Sequence, residues 1–366
     1  MEITGSIEKK KSFYKIITSI SKLFFFSIRK ICKLVPNYSE KVAVISLHRL
    51  GDSVFTIPAI RQIQNYYKRK ITIVCFPDTV PIYKIGLTNV EYCVLKPDDF
   101  YFANRVAGFK NRKVFKNVKP EIIFDLTGVM SSATLIFTSR AKEIIGMNRE
   151  HFKSIFDSYI PIRNRAHQMD VYLDAISLKI PLNERDHLKQ FSINFNRQDR
   201  ILIHPLAGWR AKQWGARKYI ELALILSRDY NVSFIVPENS SFADMNFRDD
   251  FSNLNFIRTR SINELIEELK NCSVLIGNDS GPVQIASLLG KPTFTIYGST
   301  NPDFHMPNGE FHSFAQEILE CSPSKNDKLC FTHGGLYDCP SFECMEKLSV
   351  ESVVINLNKL LDKVYN

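Results

Sequence analysis

The sequence predicts an α/β protein in which two Rossmann-like, doubly wound domains face one cleft, preceded by an amphipathic N-terminal helix. Three features predict it. Short apolar runs alternate with helical stretches from residue 41 onward, and the alternation restarts at residue 200. A charged, irregular stretch over 183–198 separates the two series. The 366 residues are 45% hydrophobic and 23% charged, which suits a folded chain too long for one core. The expected division is a leader over 1–40, a first domain over 41–190 and a second over 191–366.

The leader is justified by periodicity and charge. Between residues 12 and 35, Phe13, Ile16, Ile17, Ile20, Leu23, Phe24, Ile28, Ile31 and Leu34 recur at the 3–4 spacing of one helical face. Lys15, Lys22, Arg29, Lys30 and Lys33 fall mainly between them. The apolar face could meet an anionic membrane surface or pack on the protein body; the flanking basic residues favour the membrane. Pro36 and Asn37 end the helix. Nine Lys/Arg against three Glu within residues 1–41 give the leader +6 of the chain's +10. The remaining body carries too little positive charge for a nucleic-acid reader. No run of about 18 uncharged apolar residues is present, so no membrane span is expected. A cleavable signal peptide is not expected either, and the compartment read from the sequence is the cytoplasm.

In the first domain, residues 42–47, 71–76, 91–95 and 121–126 read as buried strands, with helices near 59–67 and 132–140. In the second, 200–205, 232–237, 255–259, 273–278 and 293–298 read as strands, with helices near 216–228, 263–271 and 282–289. Strands alternating with helices make a parallel sheet covered on both faces. Two such domains place a ligand cleft at the carboxyl ends of their strands.

Three segments at those ends carry polar chemistry. Residues 47–60 (LHRLGDSVFTIPAI) run from a strand through Gly51 to Asp52, which could serve as a general base or cap the following helix. Residues 204–214 (HPLAGWRAKQW) form a loop with Gly208, Arg210 and Lys212, suited to a phosphate or to plain solvation, with Trp214 packing the next helix. Residues 273–298 pass from a strand into Asn278, Asp279, Ser280, Gly281 and Pro282, opening a helix whose free N–H groups make an anion site. Asp279 or Ser280 as an N-cap is compatible with that use. A dinucleotide G-x-G-x-x-G fingerprint is missing, which argues against an oxidoreductase.

Eight cysteines are present. Cys75 and Cys93 lie in strand-like runs, where a buried free thiol is the ordinary reading. Cys321, Cys330, Cys339 and Cys344 cluster late in the chain, but only the Cys339–Cys344 gap approaches zinc-ligand spacing, so free thiols are favoured over a structural metal.

In this order and spacing the three polar segments resemble the heptosyltransferase family of bacterial glycosyltransferases. The resemblance rests on Gly51, Asp52 and Pro58; on Lys212, Gln213 and Trp214; and on Asp279, Ser280, Gly281 and Gln284, and it spans roughly residues 41–355. The family pattern has His where this chain has Gln284, which donates a hydrogen bond but carries no charge. The resemblance implies a GT-B arrangement and an inverting, metal-independent transfer of a sugar, such as heptose from ADP-heptose, to a lipid-linked saccharide such as lipopolysaccharide core. Asp52 would be the base. Gly208, Lys212, Glu238, Asp279, Ser280, Gly281 and Gln284 would bind the donor, Glu238 at its ribose or base. No cofactor is implied. The partners would be the nucleotide sugar, the acceptor and, through residues 12–35, the inner face of the cytoplasmic membrane. The alternative is an inactive sugar-nucleotide-binding or scaffold protein of the same fold, motivated by Gln284.

Overall fold

The computed structural model describes residues 23–104, 106–148, 154–161, 163, 167–182, 191, 193, 200–240, 242, 254–323, 330, 339 and 341–365. Helix α1 covers 23–34. The first sheet region then runs β1 (Ser39–Ile45), α2 (Leu50–Tyr67), β2 (Ile71–Cys75), α3 (Val80–Gly86) and β3 (Val90–Val94). It continues through the short α4 (Tyr101–Asn104) and β4 (Val106–Ala107) to α5 (Phe109–Lys116), β5 (Pro120–Asp125) and α6 (Met130–Ile136). β6 (Glu143–Asn148), β7 (Ser158–Pro161) and α7 (Gln168–Ser177) complete it. The second region holds β8 (Arg200–His204), α8 (Ala216–Leu226), β9 (Asn231–Pro237), β10 (Asn255–Thr259) and α9 (Ile262–Lys270). After these come β11 (Val274–Asn278), α10 (Gly281–Leu288), β12 (Thr293–Tyr297), α11 (Pro302–His305), β13 (His312–Gln316), α12 (Glu343–Glu346) and α13 (Val350–Tyr365).

Two six-stranded sheets result, ordered β3-β2-β1-β5-β6-β7 and β10-β9-β8-β11-β12-β13. All their pairings are parallel, in register Ile45↔Val74 and Ile45↔Asp125 in the first and Gly277↔His204 in the second. This is the two-domain, Rossmann-like α/β fold the alternation predicts. Central strands β2, β11 and β12 are buried at every residue, which is why they read as unbroken apolar runs. The expected joint at 183–198 lies outside the described residues, apart from Phe191 and Ile193.

In each sheet the strand order reverses beside the first strand, between β1 and β5 and between β8 and β11. Ligands of open α/β sheets bind at such switch points. The two regions meet through α2 and α10, which pack against each other. Their N-termini abut: a Cβ on Gly281 would lie 3.0 Å from Leu50 Cβ, and one on Gly51 would lie 3.5 Å from Gly281 Cα. The contact is tight at Gly281, where a side chain would press on Leu50, and ordinary at Gly51.

Three expectations change. Helix α2 begins at Leu50, well before the expected start near residue 59, so Pro58 is interior. The helix survives the missing N–H because its flank from Ser53 to Ile60 is buried, and tertiary packing outweighs propensity. In α1, Arg29 does not join the basic solvent face. It is 4% exposed and donates to the carbonyls of Ser139 (3.0 Å) and Ala141 (2.8 Å) and to Asp157 (2.9 Å). Phe25, outside the expected apolar face, is buried edge-on against Phe137 at 5.1 Å. Of that face, Ile28 packs on the body, while Leu23, Phe24, Ile31 and Leu34 remain exposed. Its earlier part, residues 12–22, lies outside the described residues. Strands β6, β7 and β13 and helices α3, α5, α7 and α13 lie outside the expected elements; β7 and β13 are only partly buried, which blurs their patterns.

Candidate active site

The segments that leave β1, β8 and β11, three of the four switch-point strands, line a cleft of about 550 Å³ between the two sheets. Asp52, Gly208, Lys212, Asp279, Ser280, Gly281 and Gln284 line it together, with Arg49, Phe55, His204, Trp209, Thr300 and His305. Most residues predicted from separate segments thus converge on one space. Glu238 does not. It follows cleft-lining Pro237, but its carboxylate accepts from Arg260 Nε at 2.8 Å on the exposed surface. Arg210 also points away, its guanidinium 5.1 Å from the centre of the Phe342 ring.

Each switch point is locked by one buried polar residue at a strand end. In the first, Asp125 accepts from the amides of Thr127 and Gly128 and from the Ser132 hydroxyl. Thr127 Oγ1 in turn accepts from the Leu47 amide at 2.8 Å, which fixes the loop that presents Asp52. In the second, Asn278 Oδ1 accepts from the Trp214 amide (3.2 Å) and the Tyr219 hydroxyl (2.9 Å). Its Nδ2 donates to the Pro205 carbonyl at 2.8 Å, which fixes the loop that presents Lys212. Neither role shows in sequence, since a buried Asp or Asn after an apolar run looks like any turn former. Trp214 is a packing residue, 2% exposed, with Nε1 donating to the Leu348 carbonyl.

The electrostatics centre on Lys212 and Asp279. Lys212 Nζ lies 2.5 Å from Asp279 Oδ2 and 4.7 Å from the Trp209 ring centre. Thr300 Oγ1 donates to the same carboxylate oxygen at 2.9 Å. Burial alone would raise the Asp279 carboxyl, but the charges of Lys212 and His305 and the two hydrogen bonds outweigh it and hold the group below its ordinary range. Asp279 is therefore the residue that positions Lys212. Ser280 is the N-cap of α10, yet its side chain makes no capping bond, and its buried Oγ has no hydrogen-bond partner among the described residues. Burial pushes His204 down to about 4, so it is uncharged at neutral pH. No side-chain hydrogen bond or ion pair engages the Asp52 carboxylate among the described residues.

Chemically, the cleft sets a carboxylate from the first turn of α2 opposite a lysine and the free N–H groups of α10. The positive ends of both helices face the same space. That arrangement suits an anion held against α10 and a proton acceptor on α2. Arg49, which reaches towards Gly208 across the cleft (Nη1 3.8 Å from where a Cβ would sit), and His305, at the end of the short α11, escape sequence reasoning, because a lone Arg or His carries no pattern.

Comparison with known proteins agrees with this geometry. The profile of glycosyltransferase family 9 (heptosyltransferase) matches residues 109–332. The chain is 24% identical to lipooligosaccharide heptosyltransferase 2 of Haemophilus influenzae, over 46% of this chain and 53% of that protein, so it spans about half the length of that relative. It is 20% identical to lipooligosaccharide heptosyltransferase 2 of Campylobacter jejuni, over 85% of this chain and 95% of that one. Its fold matches E. coli heptosyltransferase WaaC with ADP at a TM-score of 0.63 and with ADP-2-deoxy-2-fluoro heptose at 0.64, each at 15% identity and covering 87% of this chain and 99% of that one. With the profile covering more than half of the residues and the GT-B arrangement of two facing sheets around the cleft, the chain belongs to glycosyltransferase family 9, the heptosyltransferases.

Proposed function

We propose that the protein transfers a heptose from ADP-heptose to a lipid-linked saccharide of the lipopolysaccharide core, with inversion at the anomeric carbon. The observation that carries this reading is the convergence of Asp52, Lys212, Ser280 and Gly281 on one cleft between two helix N-termini. Asp52 takes the proton of the acceptor hydroxyl as its oxygen attacks the anomeric carbon. The bond to the diphosphate breaks on the opposite face. Lys212, the amides at the start of α10 and the Ser280 hydroxyl stabilise the charge growing on the leaving ADP. These groups are already held in place, so little reorganisation accompanies the reaction. Support for the donor comes from E. coli heptosyltransferase WaaC, whose structures hold ADP and ADP-2-deoxy-2-fluoro heptose.

In this reading residues 41–190 present the acceptor and 191–366 hold the donor. Glu238 contacts the nucleoside after exchanging Arg260 for it. The exposed face of α1, continued by the basic leader, holds the cleft at the inner surface of the cytoplasmic membrane, where a lipid-borne acceptor resides. Gln284 motivates the second reading, a nucleotide-sugar binder without turnover.

Calorimetric titration with ADP, UDP, GDP and CMP tests the donor site. Selective binding of ADP by the wild type, weakened about tenfold or more in Lys212→Ala, is the expected result. Binding of none of the four, or binding indifferent to Lys212, refutes it.

A further inference from the structure

Gln284 does not present its amide nitrogen to the cleft. Nε2 donates to the His305 main-chain carbonyl at 2.8 Å. The next carbonyl, that of Met306, lies 2.9 Å from His167 Nε2. Two consecutive carbonyls of the α11 turn are thus held by side chains from the two sheet regions, Gln284 on α10 in the second and His167 at the start of α7 in the first. Asn301 fixes the front of the same turn by accepting from the Asp303 amide at 3.0 Å. The Phe55 ring lies 5.6 Å from the His167 ring and 6.1 Å from that of His305. The turn is therefore anchored at both ends, and its one imidazole lines the cleft beside the α10 N-terminus, close enough for its charge to act on Asp279.

We infer that His305 supplies the imidazole that contacts the leaving diphosphate, and that Gln284 is a positioning residue that holds it there through the 284–305 hydrogen bond. This rests on the donor-site reading above and deepens it. The residue type fits the task. An imidazolium donates a charge-assisted hydrogen bond to an oxygen that becomes more negative as the anomeric C–O bond breaks, which a neutral Gln amide cannot match. The other imidazole on this side of the cleft, His204, is buried and uncharged. His305 instead sits on a turn of its own, 21 residues after Gln284, joined to it by one hydrogen bond. The Gln at position 284 is then a relocation of function and not a loss of it.

The test uses the full chain. ADP affinity is measured by calorimetry, and heptosyl transfer from ADP-heptose to a core acceptor is followed by mass spectrometry. The variants are His305→Ala, His305→Gln and the double variant Gln284→His/His305→Ala. His305→Ala should weaken ADP binding about tenfold and lower kcat by about 10²-fold, in the range for loss of one preorganised donor. His305→Gln, which retains a polar side chain of similar size, should recover little of either. The double variant should regain at least tenfold in kcat over His305→Ala, because an imidazole returns to the helix start; a merely structural role for His305 gives no such rescue. Wild-type ADP binding combined with unchanged binding and turnover in both single variants overturns the assignment alone. A wild type that binds no nucleotide overturns the donor-site reading, and the assignment with it.

Discussion

Asp279 and Lys212 form the most consequential side-chain pair in the cleft, and their chemistry fixes a pH signature. The Asp279 carboxyl is held below its ordinary value of 3.8 in the fold. A group lowered on folding adds stability above its unfolded value, and that stability is lost as pH falls through the folded one. Asp279→Asn removes the contribution and leaves a largely buried ammonium without its counter-charge, a loss of about 3 kcal/mol near pH 7. Urea midpoints of the two proteins should therefore differ most at neutral pH and converge below about pH 4. Parallel curves at all pH values would count against an ionised pair. Asp52 differs in that no side-chain hydrogen bond or ion pair engages its carboxylate among the described residues. Asp52→Asn should lower transfer by at least about 10²-fold while ADP affinity stays near wild type, as for the loss of a general base. Asp52, Lys212, Ser280 and Gly281 are legible in sequence because each closely follows an apolar run in a segment with Gly. Arg49 and His305 are not, since only the fold brings them to the same space.

Among the elements, the contact between α2 and α10 sets the width of the cleft. A methyl group on Gly281 would sit 3.0 Å from Leu50 Cβ, and both atoms belong to helix starts that cannot move independently. Gly281→Ala should cost about 1–3 kcal/mol and weaken ADP binding, because spreading the helices moves the N–H groups that face the anion. Thermal unfolding and calorimetry on the one variant check both; an unperturbed protein with wild-type affinity contradicts the close-contact account. Helix α1 carries a second elemental prediction. Arg29→Ala removes the donor from the Ser139 and Ala141 carbonyls and one of the partners of Asp157, which keeps Lys33 and the Ile144 amide, so amide exchange in residues 23–34 should accelerate strongly while β1 stays protected. Legibility differs between elements for a physical reason. Central strands buried on both faces announce themselves, while β7 and β13 at the sheet edges are only partly buried, β13 fully burying just His312 and Ala315. Pro58 misplaces the start of α2 because a proline favours a helix's first turn, whereas here packing on both sides of it decides.

For the whole molecule, the two sheets, their switch points and the cleft follow from the doubled alternation of the sequence. The docking of α1 does not, because the pattern that suits a membrane also suits a protein surface, and α1 packs part of its circumference on the body and leaves the rest exposed. Its outward face, with Leu23, Phe24, Ile31 and Leu34, is open. Replacing Phe24, Ile31 and Leu34 by Ser should reduce flotation with vesicles rich in anionic phosphatidylglycerol while sparing ADP binding, and equal flotation would remove the membrane role from α1. Family membership, the cleft and the paired helix ends together support heptosyl transfer driven by Asp52 and a preorganised anion site. The measurement that tests this most directly is mass-spectrometric detection of heptose added to a core acceptor from ADP-heptose, by the wild type and by Asp52→Asn side by side. The account predicts addition by the wild type and near-complete loss in the variant with ADP binding intact. Addition at equal rates by both proteins, or by neither while ADP binds, would contradict it.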